Sequence, residues 1–475
     1  MIGMQVRDTA SSPPSRATAP SWLWVLVILA CACALRLYHL GIASLWVDEA
    51  ETVWLVSKPL DEMWRILTTI ELNPPLYSLL MHYWVASFGS SEFAVRLPSV
   101  LLGVASVFML FRLGNSLFDR RTGLLAATLL AASPYHVAYS QEARCYSLLI
   151  FLSLWSCFVL AQLVRQPTRL RRGGYVLVTT AMLYTHPYAV FVVLAQVSAY
   201  LLALVSMRER PALGFWGGSA LQLCLGLLYA PWIWVTVSSL RGLDKGNLWI
   251  AWYGWQIIGE SYRDYAGGVA LLTLLAALAA NGVRRLGPRD FGLWLGIALS
   301  LCCVVVPVVM SRFGTPFYLV RYGIVALMGM CLLASAGIAR RRWFAAITVG
   351  VLIALMLPAA THVEWTAGWR ATDWRTVGET IRAQVAPRDA ILVDNGYADY
   401  AVSYYLRRPD LYLPWGNRRK IEGLYLRDPL ARIWIVLWNT ATPPEDYLKR
   451  AGSYYTFARM EDHGGGCFLV ELRPL

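Results

Sequence analysis

The chain has 475 residues, of which 57% are hydrophobic and 15% are charged, and its mean hydropathy is +0.48. A soluble globular protein needs more charged residues than this to cover its surface. The composition therefore excludes that class and predicts a polytopic α-helical membrane protein. The formal net charge of +13 comes largely from arginine clusters between apolar runs. Arginines at such places orient a protein in the membrane, so the positive charge does not indicate a nucleic-acid partner. The nine cysteines show neither a paired framework nor metal-binding spacing.

The N-terminal part of the chain changes from polar to apolar at about residue 21. Residues 1–20 are rich in Pro and Ser and are interpreted as a disordered cytoplasmic leader. The apolar run from Trp22 to Tyr38 predicts an uncleaved membrane span. A cleaved signal peptide is the alternative, because small residues surround Cys31 and Cys33. Apolar length predicts further spans at about 97–118, 123–139, 146–164, 174–185, 188–206, 213–235, 266–283, 291–310, 320–338 and 343–360.

Arginine clusters fall in every second connection between these spans, as the positive-inside rule requires of cytoplasmic loops. The alternation predicts about eleven spans, with the N-terminus in the cytoplasm, the C-terminus outside and a transmembrane domain over residues 21–360. The clusters are Arg120-Arg121, Arg165 with Arg169-Arg171-Arg172, Arg208 with Arg210, Arg284-Arg285 with Arg289, and Arg340-Arg341-Arg342.

The first outer loop, residues 41–96, contains an apolar stretch from Pro74 to Phe88. Its length of roughly 22 Å as a helix is short of the roughly 30 Å hydrocarbon core, so a helix in the outer interface is predicted. The alternative is an ordinary crossing. A crossing would place Arg120-Arg121 outside, against the charge rule.

The last part of the chain, residues 361–475, is far more polar and predicts a soluble extracytoplasmic α/β domain. Asp373 is expected to cap an amphipathic helix bearing Trp374, Val377, Ile381 and Val385. Short strands are predicted at Ala390–Val393, Arg432–Leu437 and Phe468–Leu472.

Three carboxylates, Asp48, Glu49 and Glu51, follow the first span directly. Ionised groups at the edge of hydrocarbon are costly unless they face water, a partner or a substrate, so this cluster predicts a functional site. A solvated loop that only carries charge is the alternative. Under the predicted topology the same face also collects Asn73, the segment from Ser133 to Tyr146, His186, residues 241–264 and the segment from Arg312 to Tyr322.

These acids, amides, bases and aromatic residues suit an enzyme that transfers a sugar. A carboxylate accepts the proton of an attacking hydroxyl, cations hold a leaving phosphate, and aromatic faces stack on a sugar. Arg144, Arg312 and Arg321 are the candidate phosphate ligands, because the guanidinium presents forked donors. Simpler interpretations stay open: Glu142 and Arg144 pair only with each other, Arg321 only snorkels to the interface, and His136 and His186 only bond backbone.

Four segments carry a resemblance to a known family. Leu45-Trp46-Val47-Asp48-Glu49-Ala50, Asn73-Pro74-Pro75-Leu76-Tyr77, the segment Ser91–Ser99, and the segment Ser140–Ser147 occur in that order. The order resembles the bacterial branch of the GT-C superfamily, integral-membrane glycosyltransferases akin to protein O-mannosyltransferases and lipid A aminoarabinose transferases. The match is densest over residues 36–165 and looser around Arg312–Tyr322.

The resemblance implies an enzyme of the bacterial cytoplasmic (inner) membrane, with its site on the extracytoplasmic face. The implied donor is a polyprenyl-phosphate sugar and the implied acceptor a cell-envelope lipid, glycan or protein, joined by inverting displacement. Asp48 matches the general base, with Glu49 shaping the pocket, and the phosphate is expected to leave toward Arg144 and Arg321 on the opposite side of the sugar. Asn73 stands where mannosyltransferases often carry His, a departure that weakens the expectation of mannose as the sugar. Glu142 stands near the position at which the aminoarabinose transferases carry a second loop acid.

The full set of candidate site residues therefore has two parts. The catalytic candidates are Asp48 and Glu49, and the substrate-binding candidates are Glu51, Asn73, Tyr77, Gln141, Glu142, Arg144, Tyr146, His186, Arg312, Arg321 and Tyr322. No organic cofactor is expected. A divalent cation stays open, because carboxylates ligate such ions but no full ligand set is visible. A transporter or flippase of lipid-linked sugars, and a scaffold that binds cell-wall polymer, are the alternatives from other classes.

Overall fold

A computed structural model describes residues 21–71, 73–207, 211–240, 250–338, 342–361, 372–393, 397–406, 412–413, 431–438 and 455–475. The predicted leader, the Arg208/Arg210 and Arg340/Arg341 clusters and residues 241–249 of the outer face lie outside these ranges.

The described residues up to Thr361 are mainly helical. The helices are α1 Ser21–Leu37, α2 Val47–Val56, α3 Leu60–Ile66 with a wider turn over Leu67–Glu71, α4 Leu76–Phe88, α5 Glu92–Leu117, α6 Arg120–Ala132, α7 Pro134–Ser140, α8 Tyr146–Arg165, α9 Arg169–Leu183, α10 Ala189–Ser206, α11 Gly214–Leu240, α12 Gln256–Ala266, α13 Val269–Arg285, α14 Phe291–Cys302, α15 Val305–Phe313, a 3-10 turn Val320–Gly323, α16 Ala326–Gly337 and α17 Arg342–Thr361.

Five helical stretches of the described chain are long and apolar enough to cross a bilayer, and the α12–α13 pair, bent by 90°, makes up to six. Three shorter apolar helices correspond to α1, α16 and α17. A polytopic helical membrane protein is therefore confirmed, whereas the count of about eleven spans stays a prediction. The helix α4, with 13 residues, is about 20 Å long, and its interfacial position also stays a prediction.

The predicted span 123–139 is broken in two. Ser133 ends α6 with extended backbone angles and begins α7, where its hydroxyl accepts from the backbone N–H of His136. Pro134 follows at the first helical position, where its missing N–H costs nothing. The helix α6 packs closely on α5, because a Cβ at Gly114 would lie 2.9 Å from the Cα of Gly123. Small residues at facing positions let helix backbones approach in this way.

The C-terminal residues form a mixed sheet with two helices. The elements are α18 Trp374–Gln384, β1 Ala390–Val393, α19 Ala398–Leu406, β2 Tyr412–Leu413, β3 Ile433–Trp438, β4 Tyr455–Asp462 and β5 Cys467–Pro474. The strand order is β2-β1-β3-β5-β4. The strand β1 runs parallel to β2 and β3, and β5 runs antiparallel to β3 and β4. Both β1 and β3 are buried throughout, as expected for strands covered on both faces.

This C-terminal module is fastened to the first outer loop. The Tyr405 hydroxyl accepts from the backbone N–H of Leu45 at 2.6 Å and donates to Glu92 at 3.1 Å. Arg375 forms an ion pair with the same Glu92 at 2.8 Å. In addition, the Tyr404 hydroxyl donates to the carbonyl of Ser90. The helix α19 also packs against α2, the helix that carries the acidic cluster.

Candidate active site

Glu49 fixes the position of α2. Its carboxylate is 1% exposed and accepts two bonds from Arg96, Nε to Oε1 at 2.8 Å and Nη2 to Oε2 at 2.7 Å. The backbone N–H of Ala143 donates to Oε1 at 2.9 Å, and that of Trp46 to Oε2 at 3.3 Å. The carboxylate thus joins α2, α5 and the turn before α8. Protein donors occupy the acceptor sites of the Glu49 carboxylate. Glu49 therefore positions its neighbours and is not placed to contact a substrate.

Asp48, one residue earlier, points elsewhere. Its Oδ2 lies 3.3 Å from Nη2 of Arg321, and the two side chains are 18% and 10% exposed. The Arg321 guanidinium also lies over the rings of Trp46, at 5.5 Å, and Tyr322, at 5.7 Å. Asp48 therefore combines an arginine neighbour with access to solvent, as a carboxylate that meets a substrate must.

This contact revises one expectation. Sequence reasoning places Arg321 across the sugar from Asp48, whereas the structure brings their side chains into contact. Opposite charges at the lip of a partly dehydrated site attract strongly, so the two groups neutralise each other in the structure.

Arg144 lies on the other side of Asp48. Its Nη1 donates to the carbonyl oxygen of Asp48 at 3.0 Å, to Oε2 of Glu51 at 3.1 Å and to Oγ1 of Thr52 at 3.2 Å. Its Nε–H is buried, and no hydrogen-bond acceptor for it is present in the described part of the chain. A buried donor without an acceptor is costly, so this N–H is available to a ligand oxygen.

Glu51 is the partner of Arg144 and has an unusual titration. Burial raises the pKa of Glu51 to about 8; the Arg144 charge opposes the rise, and the carboxylates of Glu71 and Asp48 add to it. Desolvation and like charges both disfavour the ionised form. The Glu51 carboxyl, which shares a cleft with that of Glu71, is therefore largely protonated near neutral pH.

A small cleft runs beside these groups. Tyr77 borders it, and no partner for its buried hydroxyl occurs among the described residues. The side chains that line the cleft and bear on its chemistry are Glu51, Glu71, Asn73, Tyr77, Arg144 and Thr185.

An aromatic group lies next to the two arginines. The rings of Tyr146 and Tyr322 are 6.5 Å apart, and that of His186 is 6.0 Å from the first and 5.1 Å from the second. The Nδ1 of His186 accepts from the backbone N–H of Tyr188 at 3.1 Å. Burial, together with the charges of Arg144 and Arg321, lowers the pKa of His186 to about 3. The imidazole is therefore neutral and adds no charge to the site.

Two predicted site residues have other surroundings, and a third is buried within the protein. The Gln141 side chain donates to the carbonyl oxygens of Arg36 at 3.1 Å and Tyr38 at 2.7 Å, so it caps the end of α1. Glu142 is buried. Arg312 is exposed on α15, and within the described ranges no hydrogen bond or ion pair joins it to the other candidates. The structure thus brings together the remaining residues of the predicted set and leaves Gln141 and Arg312 outside that group.

Sequence reasoning did not identify Tyr400, a residue of the C-terminal module that lies beside α2. The ring of Tyr400, on α19, packs at 5.0 Å from that of Trp54 on α2. Burial raises the pKa of Tyr400 to about 12, and the charges of Glu51 and Glu71 add to the rise. No local pattern links residues so far apart in sequence. Among the described residues, no three His, Cys, Asp or Glu side chains gather as a metal site.

Comparisons with known proteins bear on the fold and the family. Residues 73–234, about a third of the chain, match the family model described as dolichyl-phosphate-mannose-protein mannosyltransferase. The protein named "Putative mannosyltransferase YycA" of Bacillus subtilis (strain 168) is 31% identical over 94 residues, which are 20% of this chain and 14% of that protein. The chain therefore matches only a small part of the length of this curated relative.

Two solved structures match over most of the chain. ArnT from Cupriavidus metallidurans in the apo state has a TM-score of 0.66 at 13% identity, covering 95% of this chain and 98% of that one. The archaeal oligosaccharyltransferase AglB from Archaeoglobus fulgidus, in complex with an inhibitory peptide and a dolichol-phosphate, has a TM-score of 0.56 at 11% identity, covering 95% and 74%. At such identities the likeness shows a shared fold.

Proposed function

The chain has the fold of the GT-C superfamily, and from that premise we propose that it is a membrane glycosyltransferase. It transfers a sugar from a polyprenyl-phosphate donor to a hydroxyl group of a cell-envelope acceptor by inverting displacement. The observation that carries the proposal is the contact of Asp48 with Arg321, beside Arg144, which lines an acidic cleft. Structures with the same fold were solved with undecaprenyl phosphate and with a dolichol-phosphate bound.

Asp48 is the proposed general base. A base must reach the attacking hydroxyl, and Asp48 is the partly exposed acid of the group, whereas Glu49 is enclosed. The proton passes to the Asp48 carboxylate as the hydroxyl oxygen bonds to the anomeric carbon, and the bond to the phosphate oxygen breaks. Proton transfer of this kind typically contributes on the order of 10² to 10⁴ in rate. Glu49 serves as a positioning residue, because it holds the turn of α2 from which Asp48 projects.

Arg144 and Arg321 are the proposed ligands of the donor phosphate. Arginine matches phosphate with forked donors, and Arg144 already offers a buried Nε–H without a described acceptor. Arg321 contacts Asp48 in the structure. Donor entry is proposed to exchange this ion pair for one between Arg321 and the phosphate. The sugar ring then lies between that phosphate and Asp48, which meets the acceptor hydroxyl on the opposite side of the anomeric carbon.

Tyr400 is proposed to lie on the acceptor side. The C-terminal module packs on α2 through α19, so an acceptor arriving from water meets this helix. The Tyr400 ring, which packs against Trp54, offers an apolar face and a hydroxyl group, the two features that sugar recognition uses. The remaining candidates, Asn73, Tyr77, Tyr146, His186 and Tyr322, then form the walls around the sugar.

The site requires a defined orientation in the membrane. We propose that α2, the cleft and the module 361–475 face the extracytoplasmic side of the cytoplasmic membrane, with about eleven spans in residues 21–360. The support is Arg165, at the end of α8, and Arg169, Arg171 and Arg172, at the start of α9, which lie at the ends of these two helices away from the site.

The test uses the full-length protein in lipid nanodiscs with radiolabelled polyprenyl-phosphate sugars and candidate acceptors. An enzyme forms a new glycosidic bond, releases polyprenyl phosphate and inverts the anomeric configuration, which NMR of the product reads directly. Movement of intact donor between leaflets without a product identifies a flippase instead. Retention of configuration would rule out the single displacement.

A further inference from the structure

A second cavity lies at the opposite end of the helix bundle from the candidate active site. The helix α8 begins at Tyr146, in the aromatic group of the site, and ends at Arg165, which lines the cavity. Its 20 residues span about 30 Å, the thickness of the hydrocarbon core. The helix α10 repeats the relationship, because it starts beside Tyr188 and is followed at its other end by Met207, a second lining residue. The two sites therefore lie at opposite membrane surfaces.

The cavity, of about 420 Å³, has a basic mouth and an apolar wall. Arg165 and Arg289 supply the positive charge. The one carboxylate of the lining, Asp290, caps α14, since its Oδ1 accepts from the backbone N–H of Gly292 at 2.8 Å, and it also interacts electrostatically with Arg165. With two arginines against this one acid, the lining stays positive. The apolar wall is made by Leu117, Val164, Met207 and Phe291.

We propose that this cavity binds the headgroup of an anionic glycerophospholipid from the leaflet opposite the active site. The phosphodiester lies between Arg165 and Arg289, and the start of an acyl chain runs along Val164 and Phe291. Guanidinium groups bind phosphate with charge-assisted bonds, and basic pockets between transmembrane helices are suited to acidic headgroups. The apolar wall favours a lipid over a soluble anion, because burying acyl methylenes there removes apolar surface from water.

The cavity also joins elements that are distant in sequence. It is formed by the ends of α5, α8 and α10 and the start of α14. A lipid bound there holds these ends together, so its binding stabilises the folded protein by mass action.

The experiment measures lipid binding and thermal unfolding of the delipidated full-length protein in detergent. Phosphatidylglycerol is compared with phosphatidylcholine of the same chains and with inorganic phosphate. The test variant is Arg165→Gln/Arg289→Gln. The matched control is Arg169→Gln/Arg172→Gln, which removes two exposed arginines from the first turn of α9, near the same membrane surface.

For the parent and the control, native mass spectrometry is expected to retain phosphatidylglycerol and the unfolding temperature to rise with it more than with phosphatidylcholine. In the test variant, phosphatidylglycerol affinity is expected to fall about tenfold or more, since charge-assisted bonds to phosphate are lost. Equal loss in both double variants would reduce the effect to general surface charge and overturn the proposal. Equal stabilisation by the two lipids, or by inorganic phosphate alone, would overturn it too. Sugar transfer is not a readout, so the result is independent of the proposed function.

Discussion

Glu49 and Arg96 form a buried, two-bond ion pair that joins the acidic helix α2 to the transmembrane helix α5, with N–O distances of 2.8 and 2.7 Å. Arg96 continues the connection by donating to the carbonyl oxygens of Leu40, Ala43 and Ser44. Arg96 therefore fixes the chain segment that leads into α2. The pair sets where Asp48 projects without meeting the substrate itself.

Breaking this pair should destabilise the protein. Arg96→Ala leaves the Glu49 carboxylate buried without its cation, a change that typically costs about 3–5 kcal/mol. Thermal unfolding in detergent, followed by intrinsic fluorescence, is the measurement. The control is Lys58→Ala, which breaks the exposed pair between Lys58 and Glu62 and should cost about 1 kcal/mol or less. Equal effects of the two substitutions would show that the Glu49–Arg96 pair does not hold the loop.

Loss of Arg144 should weaken donor binding and turnover together. An interaction with a charged phosphate acts in the ground state and in the transition state, so Arg144→Ala should raise the donor Kd and lower kcat/KM. Each lost charge-assisted bond is worth about 1.5–3 kcal/mol, or roughly ten- to a hundredfold. Titration with a labelled polyprenyl phosphate gives the Kd. Arg171→Ala, at the other end of the bundle, is the control, and an unchanged Kd in Arg144→Ala would remove that residue from the phosphate site.

Donor affinity should fall as the pH rises through about 8, the raised pKa of Glu51. Below that pH the carboxyl is largely protonated and leaves Arg144 to the phosphate; above it, the carboxylate competes for Arg144 and repels the anion. The same group contributes stability that is full below its unfolded pKa and is lost as the pH rises through its folded pKa.

Glu51→Gln should flatten the stability profile between about pH 4.5 and pH 8 and remove the fall in donor affinity around pH 8, whereas Glu62→Gln, on α3, should leave both profiles unchanged. Isothermal titration at a series of pH values measures the affinity. A parental pH profile in Glu51→Gln would assign the titration to another group.

The sequence specifies the parts of the structure that depend on local pattern. Apolar length marks α5, α8 and α10, and Asp373 caps α18 as predicted, with its Oδ1 accepting from Thr376. The cluster at Asp48 is also visible locally. By contrast, the partners of that cluster are distant: Arg321 reaches Asp48 across more than 270 positions, a relationship that only the packing of the bundle creates.

Two of the candidates have other contacts in the structure for a physical reason. Gln141 and Arg312 are candidates because they belong to polar segments of the predicted outer face. Polar side chains at helix ends often satisfy backbone groups, as Gln141 does at the end of α1. Composition cannot distinguish this use from substrate binding.

Tyr400 should influence the acceptor and not the donor. Tyr400→Ala removes the ring that packs on Trp54, so the KM for the acceptor should rise several-fold while donor Kd stays within about twofold. Tyr400→Phe keeps the ring and should retain most of the affinity. Ser403→Ala, exposed on the same helix, is the control. A change in donor Kd with a constant acceptor KM would place Tyr400 on the other side of the sugar.

The most direct test of the account compares Asp48→Asn with Asp61→Asn, an exposed acid of the same outer loop, in the nanodisc transfer assay with donor Kd measured in parallel. If Asp48 is the general base, Asp48→Asn lowers turnover by about 10² or more. Because Arg321 loses its carboxylate partner, donor binding stays equal or becomes tighter, and Asp61→Asn behaves like the parent. Sugar transfer at the parental rate by folded Asp48→Asn protein would contradict the assignment.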